Sequence, residues 1–441
     1  MSAVIAPAGP VAETVAGTTG APGPAGGEAS GPPLNLKVWG PPPATEPGVT
    51  MARQLVELGQ ARPRLKVELE PVQTAGTDVT KAVALLAAGT GPDVFYLGRW
   101  LTAQFAAYRT IAAVDQYVTR AAKTLPLADY YPRFVAESRW RGALYGIPYV
   151  TTTRGLFYNQ GHFQEAGLPA DRPPATWEQL DQASARLLGR GPDGQLTRVG
   201  YVAGAGNPGT YLGWMVYLWQ LGGDVLAADN KRVSPDLVRL GGQALETMAA
   251  QIQRNGGWAA IEALTTGDPL PQGADIFSSG RCGMLFHQQQ QVLAYDRVSG
   301  LKYGVAPFPL PPGGKRVNFA AGPNLALFGG TKQPDAAWEI VEYLSEVGRL
   351  TAFNVAGGSM PPRRSAAQSK DYLALHPTMR FFADEQEVGR WVPIVPGIQD
   401  MFFALDETVT PAIKGQLAPR DAVEQASAKL TAILKQNEAY L

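Results

Sequence analysis

Flat aromatic rings and hydrogen-bonding side chains recur in this chain where strands and helices end. Together they suit one chemistry, the non-covalent capture of a small polar solute. A sugar has apolar C–H faces and a rim of hydroxyls, so a site for it needs aromatic surfaces and polar groups that reach outward-facing hydroxyls. The chain has nine tryptophans. Trp338 lies on the apolar face of AAWEIVEYL, and Trp177 lies in the first turn of a capped helix; both read as core. Trp39, Trp100, Trp214 and Trp391 fall at a strand end, in a loop or near a helix start, where α/β architectures collect ligands. They are candidates to line a cleft, as is Tyr211, which opens an aromatic-rich helix. Tyr96, Arg99 and Trp100 follow Pro92-Asp93-Val94, Tyr96 within the strand DVFYL and the other two beyond it. Arg99 could donate to hydroxyls or to an anionic group, or form a surface ion pair. Asp93 reads as the residue that fixes the turn before that strand. The run His287-Gln288-Gln289-Gln290-Gln291 offers amides and an imidazole in one stretch. His287, Gln288 and Gln290 suit a more polar or smaller ligand, with an inert loop as the alternative.

Other chemistries find little support. The single cysteine, Cys282, can form no internal disulfide and no thiolate metal site. His162, His287 and His376 belong to separate segments, so no metal and no cofactor is expected. There is no HExxH, no Gly-rich phosphate loop and no Gly-x-Ser-x-Gly elbow, and acidic residues are sparse in the cleft segments. The reading is a binding protein, not an enzyme. Paired carboxylates of a glycosidase would meet only in space, which leaves that class as an alternative. Formal net charge is zero, which gives no footprint for nucleic acid. No apolar run is long enough to span a bilayer.

A length of 441 residues suits two α/β lobes better than one core. Residues 1–33 stand apart, rich in Ala, Gly and Pro with only two charged side chains, Glu13 and Glu28. Such a stretch buries too little apolar surface to offset its ordering entropy and reads as a disordered tether. From Leu34 the pattern is strand, helix, strand, helix, strand: LNLKVW, an apolar helix at Met51–Gly59, LKVEL, a helix at Val79–Ala88 and DVFYL. That order implies right-handed crossovers and a mostly parallel sheet flanked by helices. Further on, Trp140–Tyr149 reads as a hairpin turning at Arg141-Gly142, and Thr176 with Gln179 forms a capping box for a long helix. Helices are expected at Tyr211–Leu221, Leu237–Arg254, from Pro334, at Met401–Gly415 and at Arg420–Asn437.

The order of these segments resembles the family 1 extracellular solute-binding proteins of ABC importers, the group that includes maltose- and maltodextrin-binding proteins. The landmarks are LKVWG (Leu36–Gly40), LLAAGTGPDVFYL (Leu85–Leu97), WRGALYGIPY (Trp140–Tyr149) running into LFYNQGHFQEAGL (Leu156–Leu168), PATWEQL (Pro174–Leu180), FSSGRCGMLF (Phe277–Phe286), AAWEIVEYL (Ala336–Leu344) and SMPPRR (Ser359–Arg364). Gly283 stands where the family pattern has Ala. The resemblance implies a two-lobed, periplasmic-binding-protein-like fold joined by crossing segments, near Tyr149–Thr153, Ala320–Asn324 and Gly358–Arg363. Lobe 1 would comprise 34–150 plus 323–358, and lobe 2 residues 151–322 plus 359–441. On these crossings Tyr149, Thr151 and Arg154, then Gly322 and Asn324, then Arg363 become candidate ligand residues. The implied function is capture of a mono- or oligosaccharide in a cleft that closes by hinge motion. A polyol, a nucleoside-like compound or a modified amino acid is the alternative. The implied partners are the small-molecule ligand and the transmembrane subunits of an ABC permease, with the binding protein a monomer. The implied location is extracytoplasmic, with the tether leashed to the membrane as a lipoprotein in the complete precursor.

Overall fold

Among the described residues two five-stranded sheets form, with two further two-stranded pairs, and three chain segments connect the regions built on the larger sheets. The computed structural model describes residues 32–71, 79–205, 210–266 and 275–441. Residues 1–31 of the expected tether lie outside the described residues.

The first sheet is built around Leu34–Gly40, which pairs in parallel with Leu65–Pro71 on one side and Val94–Gly98 on the other. Pro323–Leu327 then adds antiparallel to Val94–Gly98, and Ile147–Pro148 forms the far edge. Asp93 fixes the entry to its strand as expected: its carboxylate accepts from the Lys37 backbone N–H at 2.8 Å. The helix after the first strand runs from Glu46 to Ala61, longer than the apolar spacing implied. Thr45 caps it by accepting from the Gly48 N–H at 3.2 Å, and Pro47 is tolerated in the first turn, where an N–H has no partner to lose.

The second sheet runs in the order Tyr303–Ala306, Arg154–Asn159, Cys282–Gln288, Leu196–Ala205, Gly189–Arg190. Arg154–Asn159 is antiparallel to both of its neighbours, Tyr303–Ala306 and Cys282–Gln288, and Cys282–Gln288 and Leu196–Ala205 are parallel. Both sheets are therefore mixed, where the opening pattern implied mostly parallel ones. Each receives strands from distant parts of the chain, and such strands enter in either sense. The long strand Leu196–Ala205 has no counterpart in the sequence reading. Gly200 and Gly283 let it pack closely: a Cβ on Gly283 would lie 2.9 Å from the Gly200 carbonyl oxygen. This accounts for a glycine where the family pattern has Ala.

Local predictions hold where one turn decides them. Arg139–Trp140 pairs with Ala143–Leu144 across Arg141 and Gly142, whose φ values of 47° and 86° give the left-handed turn a tight hairpin needs. Thr176 accepts from the Gln179 N–H at 3.1 Å, and the Gln179 side chain accepts from the Ala175 N–H at 2.8 Å.

The three connecting segments lie side by side. Thr151 and Met360 exchange backbone hydrogen bonds of 2.8 and 3.0 Å, and the Thr152 N–H donates to the Ala321 carbonyl at 2.8 Å. Gly322 is required at this crossing, because a Cβ there would sit 2.1 Å from the Val150 carbonyl oxygen. No helix among the described residues is long and apolar enough to cross a membrane.

Candidate functional site

A run of aromatic rings connects the two lobes beside the crossings. Trp100 follows the strand Val94–Gly98 of the first sheet. Its ring lies 5.8 Å from that of Trp391. Trp391 meets Phe319, on the second crossing, edge-on at 4.1 Å. It also lies 6.2 Å from Phe402, which stacks on Tyr211 at 5.9 Å with the planes 30° apart. Tyr211 is the first residue of the helix Tyr211–Gln220, and Phe402 lies early in the helix Ile398–Ile413, so two helix starts present these rings. Trp100, Tyr211 and Phe402 keep partial exposure. The Trp391 indole N–H is buried and has no acceptor among the described residues. A buried donor without a partner costs about 1–3 kcal/mol, which a ligand hydroxyl at this point would recover.

The polar candidates sort into three groups. Arg154 lies under this aromatic run. Its guanidinium sits 3.8 Å over the Phe319 ring and donates to the Phe319 carbonyl at 3.2 Å. Burial alone lowers its pKa to about 9, and its Nε has no partner among the described residues. His287 and Gln288 end the strand that pairs with Arg154. Gln290 reaches Ser359 beside the third crossing at 3.5 Å and leaves its own oxygen without a partner among the described residues.

A second group serves the fold. Arg99 is a buried ion pair, not a surface one: its Nε meets Glu137 at 2.9 Å, and the two side chains are 1% and 3% exposed. Its Nη1 also donates to the Val150 carbonyl, holding the first crossing. Arg363 meets Asp129 at 2.8 Å and donates to the Ser345 carbonyl at 2.8 Å, so its charge is used inside the fold. Asn324 accepts from Ser138 at 3.1 Å and is buried. Thr151 and Gly322 contribute backbone to the crossings, and Tyr149 is buried against Phe353 at 4.6 Å. Tyr96 packs edge-on against Tyr149, and burial raises its pKa.

The third group leaves the cleft. Trp214 is fully buried, with its indole N–H donating to the Gly241 carbonyl at 2.8 Å. It offers no face to a ligand, which corrects the expectation from its place near a helix start. Trp39 lies edge-on to Phe95 at 5.3 Å and donates to Glu70 at 2.9 Å, which also fixes it within its lobe.

Gln289 is named in the sequence only as part of its polar run, and Phe319 and Phe402 are not singled out there. The Gln289 side chain accepts from the Thr153 N–H at 2.9 Å and donates to the Gly358 carbonyl at 3.1 Å, tying the first crossing to the third. Phe319 had no local signal. Phe402, paired with Phe403 near a helix start, could have been found by the criterion that selected Tyr211.

His287 gives the site a pH dependence. Its Nδ1 accepts from the Gln288 N–H at 2.8 Å, and its Nε2 faces the Gln291 side-chain amide at 2.8 Å and Asp275 at 3.9 Å. Burial lowers its pKa from 6.5 to about 4; Asp275 opposes this and Arg154 adds to it. Between those values the unfolded chain binds a proton that the folded chain refuses. This contribution is therefore complete above pH 6.5 and falls as the pH drops towards 4. The full loss is on the order of 3 kcal/mol. Urea midpoints at pH 7 and pH 4.5 should fall less for His287→Gln than for the wild type. Equal falls would assign acid sensitivity to other groups.

Among the described residues no group of three or more His, Cys, Asp or Glu is placed to hold a metal ion. A sugar-binding protein, MalE of Xanthomonas citri, superposes with a TM-score of 0.77 over 92% of this chain and 98% of its own, at 22% identity. That likeness establishes the two-lobed fold. A Brucella abortus protein named as a binding protein is 25% identical over 362 residues, 79% of this chain and 81% of that one. The sn-glycerol-3-phosphate-binding periplasmic protein of Rhizobium meliloti is 24% identical over 271 residues, 59% of each chain. Residues 45–347 match the profile of the bacterial extracellular solute-binding proteins, and the chain belongs to that family.

Proposed function

We propose that this protein is the extracytoplasmic capture component of an ABC importer and binds a mono- or oligosaccharide between its lobes. The observation that carries this reading is the run Trp100–Trp391–Phe402–Tyr211, which crosses from one lobe to the other and includes a buried indole N–H without an acceptor among the described residues. Aromatic faces match sugar C–H faces, and the free N–H matches a hydroxyl. The lobes are taken as 34–150 plus 323–358 and 151–322 plus 359–441. Closure about the laced crossings would bring Trp100 of one lobe and Tyr211 of the other to the same ligand, and a membrane permease would read the closed form. The protein acts as a monomer and performs no chemistry on its ligand.

A thermal-shift screen over mono- to trisaccharides, polyols and polyol phosphates tests the assignment. A ligand at about 100 times its dissociation constant adds roughly 2.7 kcal/mol of stability. The expected result is a shift with at least one saccharide. A shift with a polyol phosphate and none with any saccharide would replace the sugar by the non-sugar alternative. The buried Arg154, which has no carboxylate partner among the described residues, is the observation that favours that second reading.

A further inference from the structure

The strand Gly389–Arg390 and the two residues after it have two sides. Trp391 points into the aromatic run, whereas Arg390 and Val392 line a separate cavity of about 620 Å³. One wall of this chamber comes from the helix Pro132–Glu137, which packs on the first sheet, and includes Arg133 and Glu137. The opposite wall comes from the turn after the helix Tyr211–Gln220, including Asp224, and from Arg390. The charges across it do not balance locally. Glu137 serves two guanidiniums, Arg99 at 2.9 Å and Arg133 at 3.1 Å, which leaves one positive charge over at that wall. Arg390 pairs with Asp224 and lies 4.7 Å over the Trp219 ring, but its buried Nε has no partner among the described residues. The acidic groups are committed: Asp224 also accepts from the Val225 N–H at 2.8 Å, and Asp236 pairs with Arg239 at 2.5 Å. Two further lining cations, Arg139 and Arg232, pair with Asp115 and Asp229 at 3.2 and 3.3 Å. The one excess positive charge therefore lies at Arg133; it faces the Asp224-paired Arg390, and the two guanidiniums, which belong to different lobes, repel one another.

We propose that this chamber is a second ligand site that takes a small multivalent oxyanion between Arg133 and Arg390. Guanidinium groups in a partly desolvated space bind carboxylate or phosphate oxygens through paired charge-assisted hydrogen bonds. An anion there would supply an acceptor for the Arg390 Nε and replace repulsion between the lobes with two attractions. The volume falls in the range of small-molecule sites and admits a tricarboxylate.

Isothermal titration with citrate, against sodium chloride at matched ionic strength, tests this on the full chain. The expected result is saturable 1:1 binding of citrate and none of chloride. Arg133→Gln and Arg390→Gln should each weaken citrate at least about tenfold, since a hydrogen bond to a charged group carries that much. Arg172→Gln, an exposed arginine outside the chamber, should leave it unchanged. Arg133 is about half exposed, so its variant tests the site without disturbing the core. Citrate binding that is not saturable, or that is unchanged in both chamber variants, would overturn the proposal. It would also fail if Arg133→Gln abolished the saccharide response, because chamber and cleft would then be one site.

Discussion

Trp391→Ala should weaken saccharide binding by about 3 kcal/mol, roughly a hundredfold, more than any other single change in the cleft. Three losses add up in that figure. The variant removes the ring that holds Trp100, Phe319 and Phe402 in place, the small part of its own face that is exposed, and the indole N–H that has no acceptor among the described residues. It also opens space beside Phe319, only 4.1 Å away, so some stability will fall with the affinity. Trp391→Phe separates the two effects. It keeps most of the volume and a ring but lacks the N–H, and should lose about tenfold in affinity with little change in stability. Titration calorimetry with the best saccharide from the screen measures both. Full affinity in Trp391→Ala would place the ligand elsewhere.

Trp214→Ala should have the opposite profile. A buried tryptophan truncated to alanine costs about 3–5 kcal/mol, and here the Gly241 carbonyl also loses its donor. The urea midpoint should fall sharply, while the fraction that remains folded binds saccharide within about twofold of the wild type. A large loss of affinity in the folded fraction would return Trp214 to the cleft.

These two residues show where sequence reasoning stops. Both are tryptophans near a helix start or a loop, and local pattern treats them alike. The difference lies in what reaches them. Trp214 meets the Gly241 carbonyl, 27 positions away, whereas Trp391 meets Phe319 from another crossing. No propensity or periodicity encodes either contact. The same limit applies to Arg99 and Arg363. Arg99 reads as a ligand donor or a surface ion pair and Arg363 as a candidate on the third crossing, but Glu137 and Asp129 claim them.

Features fixed within one turn were legible. The hairpin at Arg141-Gly142 follows from residues that accept positive φ, and the helix after Thr176 from its cap. The two-lobed architecture was legible through the order of landmarks spread over most of the chain. Strand sense was not, because Pro323–Leu327 enters the first sheet from more than 200 positions beyond Val94–Gly98, and nothing local sets its direction. The His287–Gln291 run was legible as polar but not in its division of labour. Gln289 turned inward to tie two crossings together, while Gln290 kept an oxygen without a partner among the described residues.

The central claim is that a saccharide bridges the two lobes and closes them. Small-angle X-ray scattering of the protein with and without the most stabilising saccharide tests it most directly. The expected result is a smaller radius of gyration at unchanged mass when ligand is saturating, and no such compaction in Trp391→Ala at the same concentration. Saturable binding that leaves the scattering curve unchanged would contradict it.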